Sequence, residues 1–300
     1  QRDYSAQLTE ATQETIDIAA EAGVPVQLSH LQLGGRPAGS AGEVLGQIER
    51  ARAKGVDIAY DQYPYGAGST MVAALLPPWA GDGGPDGILG RLATEAERAR
   101  IAAELNGVAR DWARTSLVGS WSKTNRPFEG VSFEEIARRR KLQVGELICA
   151  LVEEEEMKAC FIAYHTTEED VATILAHSAQ MVGSDGLHLS GKTHPRLYGT
   201  FPRVLSHFVR ERRVLSLEEA VRKMSGAPAE RLGLKDRGTI AVGKAADLTL
   251  FDPNTVSDTA TYEDPLRFPE GIPWVWVNGT AVKQAGVPTG ALPGRVLRSA

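Results

Sequence analysis

The spacing of apolar residues changes several times along the chain, and each change predicts an element. Leu8, Ala11, Ile18, Ala19 and Ala22 recur at helical spacing and stop at Gly23. VPVQLSH (24–30) then reads as a short strand ending in a polar pair. Glu43 to Ala53 reads as a helix before Gly55, and VDIAYDQYPY (56–65) as a second strand that ends in polar and aromatic groups. Residues 66–96 are rich in Gly and Pro and read as one long loop, a length that inside a compact domain marks a functional or disordered segment. A helix follows over roughly 94–105, closed by Asn106-Gly107.

Beyond it, TSLVGSW (115–121) is a weaker strand, and Ser132-x-x-Glu135 has the form of a capping box opening a helix. A further helix over about 144–156 carries a run of four glutamates, read as its solvated face. ACFIAYH (159–165) and AQMVGSD (179–185) are strands, separated by a helix with a Thr166-x-x-Glu169 start. Helices near 198–212 and 216–225 complete this part.

Strands alternate with helices through residue 225, and polar groups gather where strands end. That predicts a parallel α/β layer with its chemistry at the carboxyl ends of the strands. Four or five strands are too few to close an eight-stranded barrel, so the region reads as half of one. After Pro228 the pattern changes: 237–253 and 269–286 alternate apolar and polar residues around turns such as Asn278-Gly279, which is antiparallel hairpin material. A domain boundary falls near residue 230, giving units 1–229 and 230–300.

Composition narrows the function classes. With 42% hydrophobic and 24% charged residues the chain suits a soluble globular protein. A net charge of −5 argues against nucleic acid as a partner, since phosphate binding rests on clustered Lys and Arg. No apolar stretch nears the ~18 residues of a membrane span. Cys149 and Cys160 read as two buried thiols of a cytoplasmic protein.

The candidate chemistry lies at three strand ends: Ser29-His30, then Asp61 to Tyr65 with Ser69, then Asp185. Each alone has a plain structural reading as a core-edge polar residue, a packed aromatic or a cap. Together, an imidazole at His30 and a carboxylate at Asp185 are two ligands for a zinc-like divalent ion, which in a catalytic site takes about three from the protein. Asp185 beside an activated water could accept its proton and pass it on to a leaving amine. Arg196 offers a planar fork for a substrate carboxylate. His188 and His194 are weaker ligand candidates; His165, His177 and His207 read as structural or exposed. There is no GxxxxGK[ST], no GxGxxG after a strand and no GxSxG elbow. Residues 66–96 and 119–131 are candidates for a lid.

At these positions the chain resembles the N-acyl-D-amino-acid deacylases (D-aminoacylases) of the amidohydrolase superfamily. The resemblance rests on QLSHLQ (27–32), DQYPYGAGST (61–70), LLPPWA (75–80), VGSDG (182–186), HPRLYGTFPRVL (194–205), KMSGAPAERLGLKDRGTIAVGKAADLTLFDP (223–253) and EDPLRFPEGIPWVWVNG (263–279). It implies an α/β fold: the C-terminal half of a metal-dependent (β/α)₈ barrel (about strands 6–8 with insertions) over 1–229, and part of a small β-sandwich over 230–300. It implies Zn²⁺, one or two ions, with His30 the sixth-strand ligand and Asp185 the eighth-strand aspartate that contacts metal and serves as general base and acid. Tyr63, Ser69 and Arg196 match positions that hold the substrate's carboxylate and polarised carbonyl. Gln32 stands where the family usually has Lys.

The implied reaction is hydrolysis of the linear amide of an N-acyl-D-amino acid. The family's strand-one HxH, bridging Cys and strand-five His have no counterpart in these 300 residues, and the strand-five His would precede Gln1. The expectation is therefore a native polypeptide longer by ~200 residues, whose missing N-terminal segment supplies the other ligands. Two alternatives stand beside this reading: a cyclic-amide hydrolase of hydantoinase or dihydroorotase type, and a non-catalytic half-protein needing an N-terminal partner.

Overall fold

The structure, a computed structural model, describes residues 2–4, 7–188 and 191–297. Its strands are β1 (Val26–Leu28), β2 (Ile58–Gln62), β3 (Ala67–Met71), β4 (Thr115–Val118), β5 (Cys160–Tyr164), β6 (Gln180–Val182), β7 (Leu248–Leu250), β8 (Trp274–Val277), β9 (Thr280–Gln284) and β10 (Val287–Pro288). They form three sheets, in the orders β1-β2-β6, β3-β5-β4 and β10-β9-β8-β7.

The first sheet is the predicted parallel layer, with Leu28 opposite Tyr60 and Gln62 opposite Val182. Helices pack against it because their apolar stripes match its apolar faces. Leu8, Ala11, Ile16 and Ala19 of the helix Leu8–Ala22 are buried, and Gly23 ends that helix in the left-handed region at φ 63°. Val44 and Ile48 of the helix Ala41–Ala53 join Leu28, Ile58 and Tyr60 in one core.

The second sheet corrects the reading of the middle of the chain. Residues 66–96 are not one loop: they contain β3 and the helix Gly84–Leu92. The segments 115–121 and 159–165 are strands as expected, but they pair antiparallel, Leu117 with Phe161 and Ser69 with Ile162, instead of extending the parallel layer. The helices Glu95–Asn106, Phe133–Arg140 and Val144–Glu154 close over this sheet around Ile101, Leu105, Leu117, Phe133, Ile148 and Phe161. Ser132 caps its helix as predicted, accepting from Glu135 N. The cap at the helix Glu168–Ala176 is Thr167, which accepts from Asp170 N, one residue beyond the expected Thr166. The run of four glutamates is not wholly solvated. Glu155 is buried and accepts from Trp121 N at 2.6 Å and Asn125 Nδ2 at 2.8 Å, which ties down the 119–131 segment. Cys149 and Cys160 are free and buried.

The third sheet is antiparallel, and Asn278-Gly279 form its β8–β9 turn with φ 48° and 77°, the handedness of a two-residue hairpin. Among residues 231–297 only Val256, Ala260 and Pro265 are buried, whereas Ile240 and Val242 are fully exposed. Among the described residues, no helix is long and apolar enough to cross a membrane.

Candidate active site

The carboxyl ends of the three parallel strands carry the predicted residues. His30 follows β1 at φ 41° and Asp185 follows β6 at φ 46°. Both occupy the left-handed region that non-glycine residues rarely adopt, and such backbone persists only where the surroundings hold it. Asp61, at the end of β2, is part of what holds it. Its Oδ1 accepts from His30 N at 2.8 Å and its Oδ2 from Gln27 Nε2 at 3.0 Å. The Tyr4 ring lies 5.2 Å from the His30 ring. Burial, then the charges of Asp185 and Asp61, raises the Tyr4 hydroxyl above its usual pKa.

Arg196 is the centre of the opposite wall and is 1% exposed. Its Nη2 bonds Asp185 Oδ2 at 2.8 Å and the Ser69 carbonyl at 3.0 Å, and its guanidinium lies 4.5 Å over the Tyr63 ring. Arg196 Nε and Nη1, Tyr63 Oη and Ser69 Oγ are sealed from solvent with no hydrogen-bond partner. Burial keeps the Tyr63 hydroxyl protonated, against the pull of Arg196. Gly68 marks where the walls meet: a Cβ there would lie 2.5 Å from His165 Nε2, 2.9 Å from Tyr63 Oη and 3.3 Å from Gln32 Oε1. The predicted set of His30, Gln32, Tyr63, Ser69, Asp185 and Arg196 thus gathers at one strand pole.

The other histidines divide differently from the reading by sequence. His194 is no free ligand. It is 2% exposed, its Nε2 bonds Ala67 O at 2.9 Å, and its Nδ1 accepts from Arg196 N at 3.0 Å, so both nitrogens are committed. His188 is exposed. His165, read as structural or exposed, instead places its Nε2 against Gly68 beside Tyr63 and Gln32, buried and with no partner. Asp61 and His165 are the two site residues whose roles spacing did not reveal. A carboxylate closing an apolar strand was the available signal for Asp61.

An imidazole and a carboxylate, both on constrained backbone, suit a zinc-like cation as part of a donor set. They fall short of a full one: among the described residues, no group of three or more His, Cys, Asp and Glu is placed to hold a metal ion.

Comparison with known proteins places this geometry in a family. The profile of the Amidohydrolase family matches residues 6–283. A D-aminoacylase of Alcaligenes xylosoxydans xylosoxydans is 37% identical over 297 residues, an alignment that covers 99% of this chain and 53% of the relative. A crystal structure of D-aminoacylase superposes with a TM-score of 0.77 at 36% identity, covering 97% of this chain and 53% of that one. An N-acyl-D-glutamate deacylase from Bordetella bronchiseptica, solved with zinc and a phosphonate mimic of the tetrahedral intermediate, superposes at 0.76 with 30% identity, covering 96% and 53%. The chain spans about half the length of the curated relatives it matches. On the family match and the near-complete alignment, the chain belongs to the amidohydrolase family.

Proposed function

We propose that these residues form part of the active site of an enzyme that hydrolyses the linear amide of N-acyl-D-amino acids. The observation that carries the reading is the cluster of unpartnered buried donors on Arg196, Tyr63 and Ser69, set beside Asp185. Buried donors without acceptors are costly unless a ligand completes them. A carboxylate next to the scissile amide does so. The cyclic amide hydantoin differs here: it carries no carboxylate, so it leaves the guanidinium fork unmatched.

Zn²⁺, one or two ions, is the proposed cofactor, held by His30 and Asp185 with the remaining ligands from the portion of the relatives' length that this chain does not span. When bound, zinc supplies Lewis acidity toward the amide carbonyl and the attacking water. Asp185 takes a proton from that water as its oxygen adds to the acyl carbon. It returns the proton to the amide nitrogen as the C–N bond breaks, releasing a carboxylic acid and a D-amino acid. Arg196 Nε and Nη1 and the Ser69 hydroxyl hold the substrate carboxylate, and Tyr63 Oη donates to the carbonyl oxygen. Gln32 contributes hydrogen bonding without charge. In this reading β1, β2 and β6 are part of a (β/α)₈ barrel and β7–β10 part of a small β-sandwich, in a cytoplasmic setting that suits the free thiols.

The test is a side-by-side assay, with N-acetyl-D-methionine, N-acetyl-L-methionine and hydantoin, of the zinc-loaded polypeptide that includes the portion supplying the remaining ligands. Turnover confined to the D-acyl compound is expected. Hydantoin as the better substrate would overturn the reading.

A further inference from the structure

One side of the site comes from outside the parallel layer, and it holds a group that the proposed reaction has not used. His165 directly follows β5 and is pinned on both sides: its N–H donates to Gly66 O at 3.1 Å and its carbonyl accepts from Gly35 N at 2.7 Å. Its Nδ1 lies 3.0 Å from Thr166 Oγ1, and that same hydroxyl oxygen accepts from Leu33 N at 3.3 Å. A hydroxyl that accepts an N–H there still has its own proton to give, and Nδ1 is the acceptor within reach. With Thr166 Oγ1 donating to Nδ1, the proton of the neutral ring resides on Nε2, the tautomer on which the assignment below is built. Burial, with the positive charges of Arg110 and Arg196, lowers the imidazole pKa to about 4, so the ring is neutral at pH 7.

The Nε2–H is sealed from solvent and has nothing to donate to. It packs close against Gly68, where a Cβ would lie 2.5 Å from Nε2, 2.9 Å from Tyr63 Oη and 3.3 Å from Gln32 Oε1. Arg196 Nε and Nη1 are also unpartnered and can only donate, and Tyr63 Oη can donate, a set that fits an anionic acceptor.

We propose that His165 is a specificity-determining residue whose Nε2–H donates to the carboxylate of the substrate. This inference rests on the deacylase reading above. The Thr166 hydroxyl is then a positioning group that selects the tautomer.

The experiment compares wild type, His165→Leu and His165→Gln, each in the zinc-loaded polypeptide that includes the portion supplying the remaining ligands, assayed with N-acetyl-D-methionine. N-acetyl-D-methioninamide, in which a neutral amide replaces the carboxylate, serves as a competing ligand. Gln keeps an N–H donor near the Nε2 position; Leu does not. His165→Leu should raise KM for the acid about 10-fold to 100-fold, with kcat within about threefold of wild type. His165→Gln should stay within about threefold in KM, and the inhibition constant of the amide, whose carbonyl is a weaker acceptor than a carboxylate, should move by less than about threefold in either variant. A KM unchanged in the Leu variant, or an equal loss for acid and amide, overturns the assignment while leaving the deacylase reading intact. Wild type inactive on N-acyl-D-amino acids sinks both. Should the Leu variant fail to fold, NMR of wild type with ¹⁵N-labelled imidazoles decides. The Nε2 proton of His165 should shift downfield as N-acetyl-D-methionine is added, and an unmoved signal overturns the proposal.

Discussion

The two ends of the three parallel strands handle their charged groups in opposite ways. At the amino ends, Lys223 is fully buried and its Nζ donates to His177 O at 2.5 Å and Gln180 O at 3.3 Å. Arg231 bonds the Val26 carbonyl and the Asp57 carboxylate, and Arg52 Nη1 donates to Ile58 O at 2.7 Å. At the carboxyl ends, Arg196 keeps two nitrogens unmatched, and His30 and Asp185 sit on left-handed backbone. The cations of one end bond strand carbonyls and hold the fold; the buried cation of the other keeps two donor nitrogens unmatched. The difference teaches where to look in a parallel sheet: unmet buried donors and constrained non-glycine backbone mark the binding end.

The sharpest break of this contrast is Asp185→Asn. It should lower kcat about 10³-fold with KM nearly unchanged, as steady-state kinetics will read; an intact kcat would remove Asp185 as the proton carrier. Next is Arg196→Ala, which should raise KM for carboxylate-bearing substrates about 100-fold, and an unaltered KM would take it out of the substrate pocket.

Stability effects at the opposite end are smaller and should spare catalysis. Burial, opposed by Glu219 and helped by Arg222, lowers the Lys223 pKa to about 8. The unfolded chain, with a lysine pKa of about 10.4, therefore binds more protons between about pH 8 and 10.4, so stability gains about 2 kcal/mol as pH rises through that window. Lys223→Met should flatten this rise in urea unfolding measured at pH 8 and pH 10, with kcat unchanged. A rise that persists in the variant would assign it to another group. The smallest effect expected is from His30→Gly. Relief of the left-handed backbone should hold or raise unfolding free energy by about 0.5 kcal/mol even as activity disappears, so marked destabilisation would show that His30 supports the fold.

Much of this site was legible in the letters. VPVQLSH, VDIAYDQYPY and AQMVGSD each place an apolar run before polar residues, with a helix after it, which is enough to predict parallel strands and the end where chemistry gathers. What alternation cannot supply is the neighbour. TSLVGSW and ACFIAYH are strands under either pairing, and only packing against the helices of the inserted lobe decides that they run antiparallel. β3 escaped notice because AGSTM is small and polar, with little hydrophobic signal. Glu155 belied its run because the end of a helix turns one of four identical side chains inward, onto the amides of Trp121 and Ser122. His165 was hidden for a simpler reason. A histidine after a strand looks the same in sequence whichever way its ring points.

The inserted lobe built on β3, β4 and β5 holds together around its own apolar centre, yet its rim supplies Ser69 and His165 to the pocket. Ser69 O and Asp185 share Arg196, so changes at that contact couple to the chemistry, whereas exchanges elsewhere along the rim are expected to alter what the site accepts without disturbing the strands that anchor Asp185. Selectivity and chemistry are thereby mounted on different foundations, and one can drift while the other stands still.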